Sequence, residues 1–406
     1  LACKGAYMTH YKYLALEGGG AKGEAYIGMA SALEKLGILK DIKAVSGASA
    51  GAITALVLAT GWNVKRMKDI LNSIDFETLA TGGFFGKLES PITMIRENGL
   101  FDGDGFYHLF KKIIKEITGN ENTTFEDWHH LRKTRPELNL KDISVQACNL
   151  NTRLNETFAY NTQHKDVPIA DAIRASMGFP WYFTPWTIKG QLYSDGGIQK
   201  NLPSDVFEKQ PGVYNPKVLS VKLESFEQIK YFDKGVSPPP KPVNTPLQTT
   251  IAVVESMLNT QDKLFQQSSY KPAIYCDTLD IGTLQFEMTQ DEHKALRASG
   301  EYGAIRFFYN SDPALVEKYY DKETIAQLKA ADFPLCFSEF LKTQKIPTEM
   351  QDIPIVSNSS PHGESSGKKW TPLFQKWGRN GALQSHCQHL QEIDETHRTR
   401  RLATTL

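Results

Sequence analysis

Residues 12–28 read KYLALEGGGAKGEAYIG. A short apolar run, Tyr13-Leu14-Ala15-Leu16, leads through Glu17 into three consecutive glycines, Gly18 to Gly20. Gly23 follows, and Glu24 to Leu36 has the composition of a helix, with Gly37 just past its end. Glycines between a strand and a helix leave backbone N–H groups open to an approaching negative group. Two such groups fit the pattern: the pyrophosphate of a dinucleotide, or the oxyanion of a reacting ester.

Gly18-x-Gly20-x-x-Gly23 matches the dinucleotide fingerprint, but a match of that kind alone is weak. A dinucleotide site also needs an acidic residue near the end of the second strand, where it holds the ribose hydroxyls. Here the second strand, Ile42-Lys43-Ala44-Val45-Ser46, carries no acid at its end and runs straight into Gly47-Ala48-Ser49-Ala50-Gly51. An apolar helix, Ala50 to Ala59, comes next. Strand, G-x-S-x-G and helix in that order describe a nucleophile elbow. The turn forces the serine backbone into a strained conformation, so Gly47 and Gly51 must be small where strand and helix crowd against it. The helix that follows aims the positive end of its dipole at the same place. With Ser49 as nucleophile, Gly18, Gly19 and Gly20 fall at the end of a neighbouring strand, where their N–H groups meet a tetrahedral oxyanion. One donor of that kind contributes about 2.7–4 kcal/mol to transition-state stabilisation.

A base must take the Ser49 proton. None of the ten histidines sits in a strand-end loop with small neighbours, and the paired His129-His130 read as one face of a polar helix. His386 and His389 flank Cys387 in a polar C-terminal segment with no second pair at metal spacing, so no metal is expected. Asp195, in Tyr193-Ser194-Asp195-Gly196-Gly197, follows a hydrophobic stretch and precedes glycines that let the chain turn sharply. Taken alone, Asp-Gly-Gly describes an ordinary tight turn equally well.

The rest of the chain sets the frame. Its 406 residues allow two or three domains, or one large α/β domain with appendages. The 46 basic residues match the 46 acidic ones, so no overall field draws nucleic acid. Five scattered cysteines without a CxxC pattern suit reduced thiols and an intracellular setting. There is no apolar run long enough to span a bilayer, and no Sec-type signal pattern. Strand-like and helix-like segments alternate through the first two hundred residues, which predicts a parallel sheet covered by helices. Further strands are expected at Ile143–Cys148, Glu156–Tyr160, Val218–Lys222 and Ile274–Leu279. Asp104 to Thr118 reads as an amphipathic helix, with Phe106, Phe110 and Ile113 on one face and Lys111, Lys112 and Lys115 on the other. Two roles suit it: a core helix with a solvated basic face, or a lid or membrane-facing helix. The proline-rich stretch 236–246 reads as a surface crossing, and 358–369 as a linker or disordered segment.

Taken together, GGGAKG, GASAG and DGG in this order resemble the patatin-like phospholipases, a family of α/β serine acyl hydrolases. Glu97 to Asp104, Asp171-Ala-Ile-Arg-Ala-Ser176 with Pro180, and DGGIQKNLP from Asp195 to Pro203, with Asn201 and Pro203 in place, extend the resemblance. It also includes Ile281 to Gly300, read as the last strand and helix, and covers residues 10–308. Glu17 departs from the Asp common before the glycines, and Met177-Gly178-Phe179 replaces smaller residues.

The resemblance implies a three-layer α/β/α fold and a Ser49–Asp195 dyad working without histidine, metal or cofactor. It also implies an oxyanion hole from Gly18, Gly19 and Gly20, and motif roles for Gly23, Gly47, Gly51, Gly196 and Gly197. Lys22 stands where it would meet a lipid phosphate, though a solvated lysine at a helix start accounts for it equally. The expected organisation is a tail over 1–9, the patatin-like domain over 10–308, a helical extension over 309–350 and a polar, partly disordered tail over 351–406. The expected activity is hydrolysis of carboxylic esters in phospholipids or other acyl lipids at a membrane surface. The setting would be the cytoplasm, or another cell reached by secretion without a cleaved signal. The alternative is an effector or scaffold that acts by binding a partner protein through its C-terminal region.

Overall fold

The computed structural model describes residues 11–72, 99–267, 273–330 and 336–343. Its strands are β1 (Tyr13–Leu16), β2 (Ala44–Gly47), β3 (Gly99–Phe101), β4 (Asp142–Asn149), β5 (Leu154–Phe158), β6 (Trp181–Phe183), β7 (Trp186–Ile188), β8 (Gln191–Asp195), β9 (Val218–Glu224) and β10 (Ala273–Asp277). The helices before β9 are α1 (Ala25–Lys35), α2 (Ala50–Ala59), α3 (Val64–Asn72), α4 (Asp104–Thr118), α5 (Phe125–Thr134), α6 (Ile169–Ser176) and the single turn α7 (Gly197–Lys200). After β9 come α8 (Phe226–Lys234), α9 (Pro246–Gln267), α10 (Gln290–Ser311), α11 (Pro313–Tyr319), α12 (Lys322–Ala330) and α13 (Phe337–Thr343).

One mixed sheet organises the molecule, in the order β10-β9-β1-β2-β4-β8-β7, with β5 also paired to β4. The five strands from β10 to β4 are parallel; β8 and β5 pair antiparallel with β4, and β7 pairs antiparallel with β8. Every residue of β9 is buried, and all but the first of β4, so helices cover both faces of the sheet. This is the expected α/β/α layering. Register then sets where each strand ends. Leu16 of β1 lies opposite both Gly47 of β2 and Val221 of β9, so the segments after β1 and β2 emerge at the same level. That common carboxyl edge is where ligands bind in such sheets.

Helices α1 and α10 meet backbone to backbone. A side chain at Gly28 would lie 1.7 Å from the Arg297 carbonyl, and one at Gly300 would lie 1.9 Å from the Ala25 carbonyl. Helix α10 runs through residue 308 to Ser311, and Val316, Ile325, Leu328, Phe337 and Phe340 of the helices after it belong to the same core. The residues before 11, and those after 343 with the expected polar tail, linker and His386-Cys387-Gln388-His389, lie outside the described residues, as does the start of the Glu97–Asp104 stretch.

The structure decides between the two readings of one helix, in favour of the core helix, and corrects the expected last strand. Helix α4 has the predicted bounds, but Phe106, Phe110, Ile113 and Ile114 are buried in the core. Burial of that apolar stripe rules out a membrane-facing role for it. On the polar side, Lys111 and Lys115 pair with Glu121 at 2.8 and 3.4 Å. Ile281 to Leu284 form an irregular turn rather than a last strand. The last strand is β10; after it Leu279 and Asp280 take positive φ (53° and 62°), which breaks the extended run. The proline-rich stretch is exposed and without regular structure up to residue 245, and Pro246 opens α9.

Candidate active site

Ser49 stands between β2 and α2 with φ 51° and ψ −124°, a strained conformation for a residue with a side chain. The turn is as crowded as the sequence suggests. A Cβ at Gly47 would lie 2.2 Å from the Gly51 backbone, and one at Gly51 would lie 2.4 Å from the Leu16 carbonyl. Only glycine fits at either position. The Ser49 N–H donates to the Ser176 hydroxyl at the end of α6, 2.9 Å away, which holds the elbow from the other side.

Register also brings Asp195 to this turn. Gly47 lies opposite Val145 of β4, and Ala147, two residues further along β4, lies opposite Asp195 of β8. Ser49 is two residues beyond Gly47, so serine and aspartate reach the same level. The Asp195 carboxyl is buried, accepts the Gly197 N–H at 2.7 Å and is engaged by the Ser49 side chain. Burial pushes its pKa up to about 6, and the hydrogen bonds from Ser49 and Gly197 act against that rise. Its titratable neighbour on β4 is the Cys148 thiol, itself pushed up by burial and by Asp195.

The glycine loop divides its donors. Gly18 gives its N–H to the Asn201 carbonyl at 3.1 Å, and its own carbonyl accepts from the Asn201 side chain at 3.4 Å, so its N–H is engaged within the chain. Gly18 thus differs from its two neighbours, which the expectation treats alike. Gly19 and Gly20 have N–H groups with no acceptor among the described residues, as does Ala50 at the start of α2. Gly20 has φ 57°, and a Cβ there would lie 2.0 Å from the Thr283 carbonyl, which instead accepts the Ala21 N–H at 3.0 Å. The turn after β10 thus fastens the loop.

Glu17, longer than the Asp of the resembled motif, reaches into β9. Its carboxylate accepts from the Lys222 ammonium at 3.1 Å and from the Leu223 N–H at 2.7 Å. Lys222 also pairs with Glu224 at 2.6 Å, and all three side chains are buried beneath the loop. Lys22 is half-buried beside the loop and makes no ion pair among the described residues. Gly23 packs against the Ala50 methyl group, and Gly196 against the Gln146 carbonyl, where a Cβ would lie at 2.1 Å.

Gly20, Ser49 and Ala50 open onto a pocket whose walls are largely apolar, including Phe106, Phe179, Phe183, Phe286, Met177 and Met288. No histidine lines it. His129 is held by Asp142 at 2.7 Å and His164 by Glu156 at 2.8 Å, while His293 lies 3.4 Å from Glu24. No cluster among the described residues has the makings of a metal site. The motifs contain Ser176 and Asn201, but sequence reasoning does not reveal their roles. It also misses Thr283, and Gln261, which accepts the Asn201 N–H. Gln261 has a signal in its spacing: it follows Ile251, Val254 and Leu258 on one face of α9.

A family model described as patatin-like phospholipase matches residues 14–207, which include the glycine loop, Ser49 and Asp195. The chain is 30% identical over 210 residues to a protein of Invertebrate iridescent virus 6 described as probable lipid hydrolase 463L. That match covers 51% of this chain and 67% of the viral protein. It is 29% identical over 201 residues to the uncharacterized protein R571 of Acanthamoeba polyphaga mimivirus, covering 49% of this chain and 62% of R571, so it spans less than two thirds of that relative. Among solved structures, VipD from Legionella pneumophila shares the fold at a TM-score of 0.50, with 21% identity over 82% of this chain and 76% of VipD.

Proposed function

Since this chain belongs to the patatin-like phospholipase family, we propose that it hydrolyses the carboxylic esters of acyl lipids by a Ser49–Asp195 dyad. The observation that carries this reading is the strained Ser49, engaged by a buried carboxylate and opening onto an apolar pocket. The pocket suits an acyl chain, and its aromatic and methionine walls leave a polar head group to lie outside. Phospholipid, met at a membrane surface, is the substrate class that suits this division of an apolar pocket from an outer head group.

In the first half-reaction Asp195 takes the proton of the Ser49 hydroxyl as Oγ attacks the ester carbonyl carbon. The carbonyl oxygen becomes an oxyanion facing the Gly19 and Gly20 N–H groups, with Ala50 N–H and the start of α2 adding positive potential. The tetrahedral intermediate expels the lipid alcohol, which takes the proton from Asp195 and leaves an acyl-Ser49 ester. Water then attacks that ester, giving its proton to Asp195. Collapse of the second intermediate releases the fatty acid and returns the proton to Ser49. An aspartate is an effective base here because burial has raised its affinity for a proton.

Ser49→Ala is expected to abolish ester hydrolysis and labelling by a fluorophosphonate probe, with the melting temperature nearly unchanged. Hydrolysis by that variant near the wild-type rate rejects the assignment. Product analysis by mass spectrometry on mixed phospholipid vesicles identifies the ester cleaved.

A further inference from the structure

Helix α9 presents a narrow inward stripe. Val254 is buried, and Ile251 and Leu258 pack against the core. One helical turn on from Leu258 the stripe ends in Gln261, a polar residue facing the same way. Leu258 lies against Gly197, with 3.5 Å between its methyl group and the position of a Cβ there. Outward on the same helix, Val253 and Met257 are exposed.

The Gln261 side chain is matched to three backbone groups of the loop that follows Asp195. Its carbonyl oxygen accepts the Asn201 N–H at 2.7 Å, and its amide nitrogen donates to the carbonyls of Gly197 and Ile198, each at 3.0 Å. Gly197 is the residue whose N–H holds the Asp195 carboxyl. Asn201 is the residue whose carbonyl and side chain grip Gly18, at the root of the glycine loop. One amide therefore touches both the loop that orients the base and the residue that anchors the oxyanion donors.

We infer that Gln261 is a positioning residue that couples the Asp195 loop to the Gly18–Gly20 loop, so that the base and the oxyanion donors are set together by the docking of α9. This rests on the dyad reading above. The geometry favours such a role over plain packing. An apolar residue in line with Leu258 would continue the stripe, whereas Gln261 commits both ends of its amide to loop backbone. With it gone, α7 loses its hydrogen bonds to α9, and small displacements at a reacting centre carry large kinetic penalties.

The test uses Gln261→Leu and Gln261→Glu, with Met257→Ser on the outer face of the same helix as control. The substrate is a short-chain soluble ester. Gln261→Leu is expected to lower kcat by roughly ten- to a hundredfold with KM little changed. The control should retain the wild-type rate. Gln261→Glu keeps an acceptor for Asn201 but cannot donate to Gly197 and Ile198, and it places a negative charge near Asp195. The acid limb of its kcat/KM profile should move to higher pH, a shift that a merely structural role would not produce. Hydrogen exchange should quicken in peptides covering 17–20 and 195–202 of Gln261→Leu and stay unchanged in α2. Wild-type kcat and an unmoved acid limb in both Gln261 variants overturn the inference and leave the dyad intact. Wild-type protein whose Ser49 resists a fluorophosphonate overturns the dyad reading and this inference with it.

Discussion

Asp195 is pulled in two directions. Burial raises its pKa to about 6, and the hydrogen bonds from Ser49 and Gly197 hold it from rising further. As a base it must be ionised, so kcat/KM is expected to fall as pH drops below about 6. The same shift bears on stability with the opposite sense. The folded protein binds this proton more tightly than the unfolded chain does. The stability from Asp195 is therefore complete below the unfolded carboxyl value and is lost as pH rises through about 6. Asp195→Asn removes the base and the buried charge together. Its rate should fall at least about a hundredfold. At pH 8 it should be more stable than wild type, by on the order of 3 kcal/mol if the whole shift is recovered. Melting curves at pH 4 and pH 8 check this: the gain should shrink toward pH 4, and a lower melting temperature at pH 8 would contradict the account.

At the scale of elements, α4 separates two ideas that amphipathic periodicity alone leaves open. Its apolar stripe packs into the core, and Phe106 also forms part of the pocket wall. Phe110 is fully buried and stands on the same stripe without lining the pocket. Phe110→Ala should cost about 3–5 kcal/mol of stability. Any loss of activity should then be equal on vesicle lipid and on a short-chain soluble ester once unfolded protein is allowed for. Activity on vesicles falling alone would return α4 to the bilayer surface. On the opposite face Lys111 and Lys115 pair with Glu121, in solvent-facing contacts of the kind that contribute less than about 1 kcal/mol each.

Across the whole molecule, the oxyanion loop rests on contacts from distant parts of the chain. Glu17 reaches Lys222 and Leu223 on β9, Gly18 is gripped by Asn201, and Gly20 sits against Thr283. Lys222 is the cation shared by Glu17 and Glu224 in a place water does not reach. Lys222→Met should destabilise the fold by about 3–5 kcal/mol, since it leaves two buried carboxylates without the cation they share. Adding Glu17→Gln should restore part of that loss. Chemical denaturation of the single and double variants measures both effects; an additive further loss in the double variant would show that the pair is not coupled.

The local chemistry of this chain is legible in its amino-acid order. Glycine at 47 and 51 announces a turn too tight for side chains, the apolar run to Ala59 announces a buried helix, and the absence of an acid after the second strand speaks against a dinucleotide. The readings of the turn and the helix agree with the structure because they depend on neighbours in sequence, where sterics and hydrogen bonding are set within a few residues. The alternation of strands and helices likewise announces the layered α/β fold, because periodicity records which faces are buried. What only the tertiary structure decided lies in register and long-range contact. Asp195 reaches Ser49 because β8 runs antiparallel beside β4, and no local pattern distinguishes its Asp-Gly-Gly from a surface turn. Gly18 is withdrawn from the donors by Asn201, and Gln261 ties two loops together from a helix that carries no motif. The apolar face of α4 has the same periodicity whether it meets lipid or core. Such choices rest on free energies of burial and pairing between segments far apart in the chain, and they exist only once the sheet has brought those segments together.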